Sequence, residues 1–285
     1  MRSTRVTTSL KNTTTLRRLA IAGLAAGALV LTGCGSSSGG NAGGEESPGA
    51  GTSLKDIQDA GVITVGTEGT YRPFTFHDNG TGDLTGYDVE VMKAVADELG
   101  VDVKFEETQW DAIFAGLDAG RFDVIANQVS ITPERKADFA FSEPYTVSPG
   151  VIVVNDGDTS IGSFDDLTGK TTAQSLTSNW YELAKESGAK IENVEGWAQA
   201  VALLKQGRID ATINDELTFL DYQKTEGDMS LDIAATTQDE AHNAFTFRKG
   251  SDELIAAVDS ALDKLRKDGT LAEISEKYFG ADVSH

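Results

Sequence analysis

The sequence predicts an α/β protein built of two similar lobes, and three observations predict it. Short apolar runs alternate with stripes of helical spacing from Leu54 onward, one helix–turn–strand segment occurs twice, and both copies end in polar residues at the C-terminal end of a strand. Alternation of this kind predicts α/β layers with mainly parallel sheets, because a crossover helix is the usual link between parallel strands.

The repeated segment carries the most information. WDAIFAGLDAGRFDVIANQ, beginning at Trp110, is echoed without a gap by WAQAVALLKQGRIDATIND, beginning at Trp197. Trp110 matches Trp197, Gly120 matches Gly207, Arg121 matches Arg208, Asp123 matches Asp210 and Asn127 matches Asn214, each pair 87 positions apart. Chance and the shared grammar of helix, turn and strand are the competing account. Two lobes, each with its own sheet, explain it better. Asn127-Gln128 and Asn214-Asp215 then stand at equivalent strand ends, where open α/β sheets bind ligands. Two such edges facing each other make an interlobe cleft, a favoured place for a small molecule.

The chain begins differently. Arg2, Arg5, Lys11, Arg17 and Arg18 precede Leu19–Leu31, an apolar run, and no acidic residue lies among them. The run is too short for a comfortable bilayer span; positive start, short apolar middle and small residues at the exit describe a secretory signal over residues 1–33. Its exit, Leu31-Thr32-Gly33-Cys34, resembles the bacterial lipoprotein lipobox, which implies a diacylglycerol on Cys34 and an anchor on the outer face of the cell membrane. Cys34 is the only cysteine, so the chain builds no intramolecular disulfide. Residues 34–53 read as that anchor and a Gly/Ser-rich flexible tether.

Beyond the tether, Val62–Val65 reads as a strand and Asp88 as the cap of a helix bearing Val89, Met92, Val95, Ala96 and Leu99. Val101–Phe105 is a strand, Trp110, Ile113, Phe114 and Leu117 a helical stripe, and Phe122–Ala126 a strand. Thr132 and Pro133 have the residue types of an N-cap and first helical position. Lys170–Ala173 reads as a strand followed by a polar turn, with a helix beginning near Asn179. Leu254, Ile255, Val258, Leu262 and Leu265 form a stripe, and Thr270 with Glu273 reads as a capping box for the last helix.

Composition excludes several functions. A net charge of −21 and a pI near 4.4 argue against nucleic acid, whose phosphates are held by Lys and Arg. His77, His242 and His285 are isolated, so no metal-ligand spacing appears, no cofactor is implied, and neither a GxSxG elbow nor a Walker loop occurs. Binding residues are easier to find. Arg135, just after the Asn127-Gln128 strand end, is within reach of a cleft and suited to a carboxylate, although a solvated surface arginine is the plainer reading. Ser130 offers a backbone N–H at the same turn. Asp215 suits an ammonium or caps the next helix. Tyr71 and Trp110 are candidate pocket walls or core, Glu68 a loop carboxylate, and Thr177 part of the polar turn.

Taken together, GTEGTYRPFTF from Gly66, LTGYDVEVMKAVADELG from Leu84 and the long segment from Trp110 to Tyr145 resemble the polar amino-acid solute-binding proteins of ABC importers over nearly all of residues 54–283. The resemblance implies a type II periplasmic-binding-protein fold: lobe one from 54–149 plus 246–285, lobe two from 150–245, with crossovers near Ser148–Val151 and Ala244–Phe247. It implies that Arg135 clamps a ligand α-carboxylate with the Ser130 backbone and the Thr177 turn. Asp215 would take the α-ammonium, aided by a carbonyl near Gln128, Tyr71 and Trp110 would wall the pocket, and Glu68 would face the variable side chain. Ala126–Ser130, Glu68–Tyr71 and the ending from Lys277 to Val283 are similar to cystine-binding members, implying cystine as ligand, an ABC permease as partner and a monomer. Arg72 departs from the family, where proline is common, as does the glycine-free turn Gln174–Thr177. Glutamine or another polar amino acid, a dehydratase on the same fold, and a ligand sensor are the alternatives.

Overall fold

The computed structural model describes residues 51–284; the expected signal, Cys34 and most of the expected tether lie outside the described residues. In chain order the elements are α1 (Leu54–Ala60), β1 (Val62–Thr67), β2 (Thr70–Tyr71), β3 (Thr75–His77), β4 (Leu84–Thr85), α2 (Tyr87–Leu99), β5 (Asp102–Glu107), α3 (Trp110–Asp118), β6 (Val124–Ile125), α4 (Pro133–Asp138) and β7 (Phe139–Phe141). There follow β8 (Thr146–Asn155), β9 (Thr171–Gln174), α5 (Asn179–Glu186), β10 (Lys190–Asn193), α6 (Trp197–Lys205), β11 (Ala211–Asp215), α7 (Glu216–Glu226), β12 (Leu231–Asn243), β13 (Thr246–Arg248), α8 (Asp252–Asp268) and α9 (Thr270–Phe279).

These form two five-stranded sheets of the same plan. The first has the order β5-β1-β6-β13-β7 and the second β10-β9-β11-β8-β12. In each, the first three strands are parallel and the last two antiparallel. Strands β1, β5 and β6 therefore correspond to β9, β10 and β11, and the repeat is structural rather than accidental. Its conserved chemistry has a purpose in both copies. Asp123 accepts from the Thr64 N–H at 2.9 Å and Asp210 from the Thr171 N–H at 2.7 Å, so each fastens the end of one strand to its neighbour. Gly120 and Gly207, which turn the chain from helix into strand, adopt φ of +69° and +65°, a region costly for a residue with a Cβ.

The chain passes from the first sheet to the second along β8 and returns along β12. These strands pair antiparallel through Thr146–Pro149 and Glu240–Asn243, and the register then slips between Thr236 and Glu240. Gly150 sits at this crossing, where a Cβ would stand 2.4 Å from the Trp180 ring. Phe247, near the expected second crossover, pairs with Val124 and Ala140 in the first sheet.

The first lobe's core joins β1 and β13 to α2, α8 and α9 through Ile63, Val65, Met92, Val95, Phe247, Val258, Leu262 and Leu271, all fully buried. Tyr145 stacks on Phe245 with ring centres 4.3 Å apart, and Tyr87 donates to the Tyr145 carbonyl at 2.8 Å. Burying these rings contributes the bulk of the local stabilisation, at roughly 25 cal/mol per Å² of apolar surface.

Several local expectations are corrected. Phe122–Ala126 forms only a two-residue strand at Val124–Ile125. Asp88 does not cap α2, whose N-cap is Gly86; it points inward and is fully buried. Thr270 and Glu273 form no capping box, because Gly269 occupies the N-cap and Asp268 takes the Thr270 N–H. The end of the expected tether is also held: Thr52 is buried and donates its N–H to Ser251 Oγ at 3.0 Å, while Ser53 caps α1. The Thr132 cap and Pro133 start of α4 are as expected.

Candidate functional site

Between the two sheets lies a cavity of about 500 Å³, a size typical of sites for small ligands. Its walls come from equivalent strand ends of the two lobes. Asn127-Gln128 and Asn214 follow or end β6 and β11, Glu68 and Gln174 follow or end β1 and β9, and Glu107 and Glu195 end or follow β5 and β10. Trp110 and Trp197, equivalent in the repeat, both line it.

Of the expected residues, Glu68, Tyr71, Trp110, Asn127 and Gln128 line the cavity. Asn127 is the bracket for Glu68: its Oδ1 accepts from the Glu68 N–H at 2.8 Å and its Nδ2 donates to Glu68 Oε2 at 2.7 Å. Burial pushes the Glu68 carboxyl up to about 7 despite that bond. Tyr71 reaches across the cleft, donating to Asn214 Oδ1 at 2.8 Å and accepting from Thr218 Oγ1 at 3.2 Å.

Arg135, Ser130, Thr177 and Asp215 are not cavity-lining; they form its supports. The Arg135 guanidinium stands 5.3 Å from the rings of both Trp110 and Phe114. It donates to the Ser130 carbonyl at 2.8 Å and, across the cleft, to the Thr177 carbonyl at 3.2 Å. Guanidinium carries five N–H donors, so three remain for a ligand. Burial lowers its pKa to about 10, which leaves it charged at neutral pH.

Asp215 does one of the two jobs foreseen for it, the capping of the next helix. Its Oδ1 caps α7 by accepting the Leu217 N–H at 2.9 Å, and its Oδ2 accepts from Ser148 Oγ at 2.6 Å and Gln128 Nε2 at 3.2 Å. Those bonds only partly offset burial, which pushes the carboxyl up to about 6. A carboxylate accepts about four hydrogen bonds, so one acceptor position is left for a cation.

Three residues named in the sequence have contacts that it did not show. Asp88 accepts the Gln128 N–H and, at 2.9 Å, the Tyr145 hydroxyl. It thereby holds Gln128 at φ +49°, a left-handed conformation that non-glycine residues adopt at a cost. Asn214 ties Tyr71 to the second lobe. Arg72 stacks its guanidinium 3.8 Å from the Phe76 ring centre and pairs with Asp221 of α7 at 3.3 Å. With Gln109 donating to Glu195 at 3.0 Å and Thr177 to Asp111 at 2.9 Å, these bonds draw the lobes together. Several buried polar atoms at the cavity, namely Trp110 Nε1, Gln128 Oε1 and Gln174 Nε2, have no protein partner. Among the described residues no cluster of His, Cys, Asp and Glu is arranged to hold a metal ion.

Two like-built α/β lobes, hinged on a strand pair and closing polar strand ends over a cavity, define a type II periplasmic-binding-protein fold. The chain belongs to the bacterial extracellular solute-binding proteins, family 3, whose sequence model matches residues 63–281. That is a family of binding proteins, not of enzymes. The L-cystine-binding protein TcyA of Bacillus subtilis is 53% identical over 80% of this chain and 85% of its own length. Among solved structures, the L-cystine solute receptor of Neisseria gonorrhoeae in its unliganded open conformation is 48% identical over 82% of this chain and all of its own, with a TM-score of 0.57. An ancestral arginine-binding protein bound to arginine is 37% identical over 77% of this chain and 99% of its own, yet scores 0.72.

Proposed function

We propose that this protein captures a free amino acid, cystine in particular, in the interlobe cleft and delivers it to the permease of an ABC importer. The observation that carries the reading is that Arg135 and Asp215, a half-buried cation and a buried anion, come from opposite lobes and each bonds across the cleft. A zwitterion gripped by both contacts each lobe only when they are closed. Ligand shifts a conformational equilibrium through such differential contacts. Arg135, with the Ser130 backbone and the Thr177 turn, takes the α-carboxylate; Asp215 and Gln128 take the α-ammonium. Tyr71 and Trp110 wall the pocket, and Glu68, held by Asn127, faces the ligand side chain.

The choice of cystine rests on two of the named relatives, the L-cystine-binding protein TcyA and the L-cystine solute receptor. Lipid attachment at Cys34 would hold a monomer near its permease and raise its local concentration there. The lobes of this reading are 54–149 plus 246–285 and 150–245.

Calorimetric titration of residues 52–285 with cystine, cysteine under reducing conditions, glutamine, histidine, arginine and glutamate tests it. Cystine should bind tightest. Tighter binding of another amino acid removes cystine and keeps the mechanism; silence across the panel removes the amino-acid reading. Cystine uptake in a strain lacking the protein tests delivery, and normal uptake at low concentration counts against it.

A further inference from the structure

Gln128 is a corner in the chain. On one side of it, Ala126 donates its N–H to the Gly66 carbonyl of β1 at 3.1 Å. On the other, the Val129 carbonyl accepts from the Ala244 N–H at 3.0 Å, and Ile131 donates to the His242 carbonyl of β12 at 2.8 Å. The chain thus leaves the first sheet and joins the returning crossover strand at this point. Gln128 itself is buried and left-handed, with φ +49°. Glycine reaches that region freely, whereas glutamine holds it where its surroundings over-determine it. The acceptor for the Gln128 N–H is a side chain, that of Asp88, rather than a neighbouring strand.

Asp88 stands in the first turn of α2 but caps nothing there, is fully buried and does not line the cavity. Its Oδ2 takes both of its bonds, from the Gln128 N–H and from the Tyr145 hydroxyl at 2.9 Å. A buried carboxyl is costly, and burial pushes this one up to about 7 in spite of those bonds. Tyr145 immediately precedes β8, and Ser148 on β8 donates to Asp215 at 2.6 Å. Gln128 therefore lies between two buried carboxyls. Its backbone N–H is on Asp88 and its side-chain Nε2 is on Asp215 at 3.2 Å. Each carboxyl also receives a hydroxyl from the start of the outgoing crossover. The remaining atom of the Gln128 amide, Oε1, is buried, has no protein partner and belongs to a residue that lines the cavity.

We propose that Asp88 is a positioning residue for the ligand ammonium: it fixes the Gln128 corner, ties it through Tyr145 to the crossover strand, and so aims the Gln128 side-chain amide at Asp215. This rests on the amino-acid reading and deepens it. With the amide so aimed, Nε2 holds the Asp215 carboxylate and Oε1 is left as an acceptor for the ammonium that Asp215 takes. Without the Asp88 acceptor, the left-handed corner loses the bond that holds its N–H, and Gln128 is free to relax to an ordinary backbone conformation. The amide then turns away from Asp215, and the ammonium loses an acceptor although no residue touching the ligand has changed.

The test is a double-mutant cycle read by calorimetric titration, with cystine, cysteine, glutamine, histidine, arginine and glutamate as probes. Asp88→Ala should weaken the amino acid that the wild type binds by about tenfold, the effect of one misplaced charged hydrogen bond. In Gln128→Gly, glycine takes the left-handed corner unaided and no side chain is left to aim, so the same substitution should cost under about twofold. Asp88→Asn keeps an oxygen that can accept both bonds and should recover most of the loss. Tyr145→Phe keeps the ring stacked on Phe245 and removes the hydroxyl that holds Asp88. It should show the same cycle at about threefold, and it carries the test if Asp88→Ala does not fold. Equal losses of affinity in the two backgrounds, or unaltered affinity in a less stable protein, reduce Asp88 to a core residue and overturn the proposal while the amino-acid reading stands. Silence of the wild type across all six probes overturns both.

Discussion

Gln128 and Asp215 occupy the same position in the two copies of the repeat, 87 residues apart, and a 3.2 Å hydrogen bond joins them across the cleft. The two lobes therefore meet at their own equivalent strand ends. In the proposed function, the carboxylate that bonds across the cleft is also the one that takes the ligand ammonium.

Asp215→Asn separates those roles. Asparagine still caps α7, and the cost of a buried charge disappears. We expect amino-acid affinity to fall by about 1.5–3 kcal/mol, the worth of a charged hydrogen bond, while stability falls by no more than about 1 kcal/mol. Titration calorimetry and thermal denaturation of the same variant check both halves.

Closure depends on a few polar bonds, and Arg72 supplies one in place of the proline common in the family. Arg72→Ala removes the pair with Asp221 and the stack on Phe76. A partly exposed pair of this kind contributes about 0.5–1 kcal/mol, so the closed population of the ligand-free protein should drop about two- to fivefold. Small-angle scattering should give a larger radius of gyration without ligand and an unchanged one at saturation.

The pH dependence follows from two cleft carboxylates raised by burial, Glu68 to about 7 and Asp215 to about 6. In a carboxylate whose pKa is raised by closure, the closed form binds protons more tightly than an open, solvated one. Lowering pH from 8 towards 5 therefore favours closure of the ligand-free protein. A ligand ammonium needs Asp215 charged, so the same acidification weakens binding as pH falls below about 6. Calorimetry across pH 5–8, in buffers of different ionisation enthalpy, should detect proton release on binding at the acid end and little at pH 8.

The repeat also predicts stability. Asp123 is half-buried and Asp210 exposed, yet each accepts the N–H of a neighbouring strand end. Asp123→Ala should cost about 1–3 kcal/mol and Asp210→Ala less, about 0.5–1.5 kcal/mol. Neither should alter ligand affinity. Urea denaturation with a binding assay on the folded protein distinguishes these effects.

The fold was legible where the signal is local or repeated. Spacing gave α2, α3 and α8, the echo gave two sheets of one plan, and Thr132-Pro133 gave the start of α4. The inner wall of the site was legible for the same reason, since Asn127-Gln128 and Asn214-Asp215 end equivalent strands. What escaped is set by distant partners. Asp88 looks like a helix cap because it opens a helical stripe; its burial depends on Tyr145 and Gln128, 57 and 40 residues away. Glu107, Gln109 and Glu195 are ordinary polar residues after edge strands until the lobes face each other. Thr270 with Glu273 has the residue types of a capping box, but Gly269, at φ +90°, takes the cap.

The central claim is that one amino-acid head bridges Arg135 and Asp215 in the closed cleft. A crystal structure of the protein grown with cystine tests it most directly, read as the distances from the ligand α-carboxylate to the Arg135 guanidinium and from its α-ammonium to the Asp215 carboxylate. The account predicts both at about 2.7–3.2 Å, the range of charged hydrogen bonds. A ligand seated in the cavity with its carboxylate away from Arg135, or its ammonium on a residue other than Asp215, contradicts it.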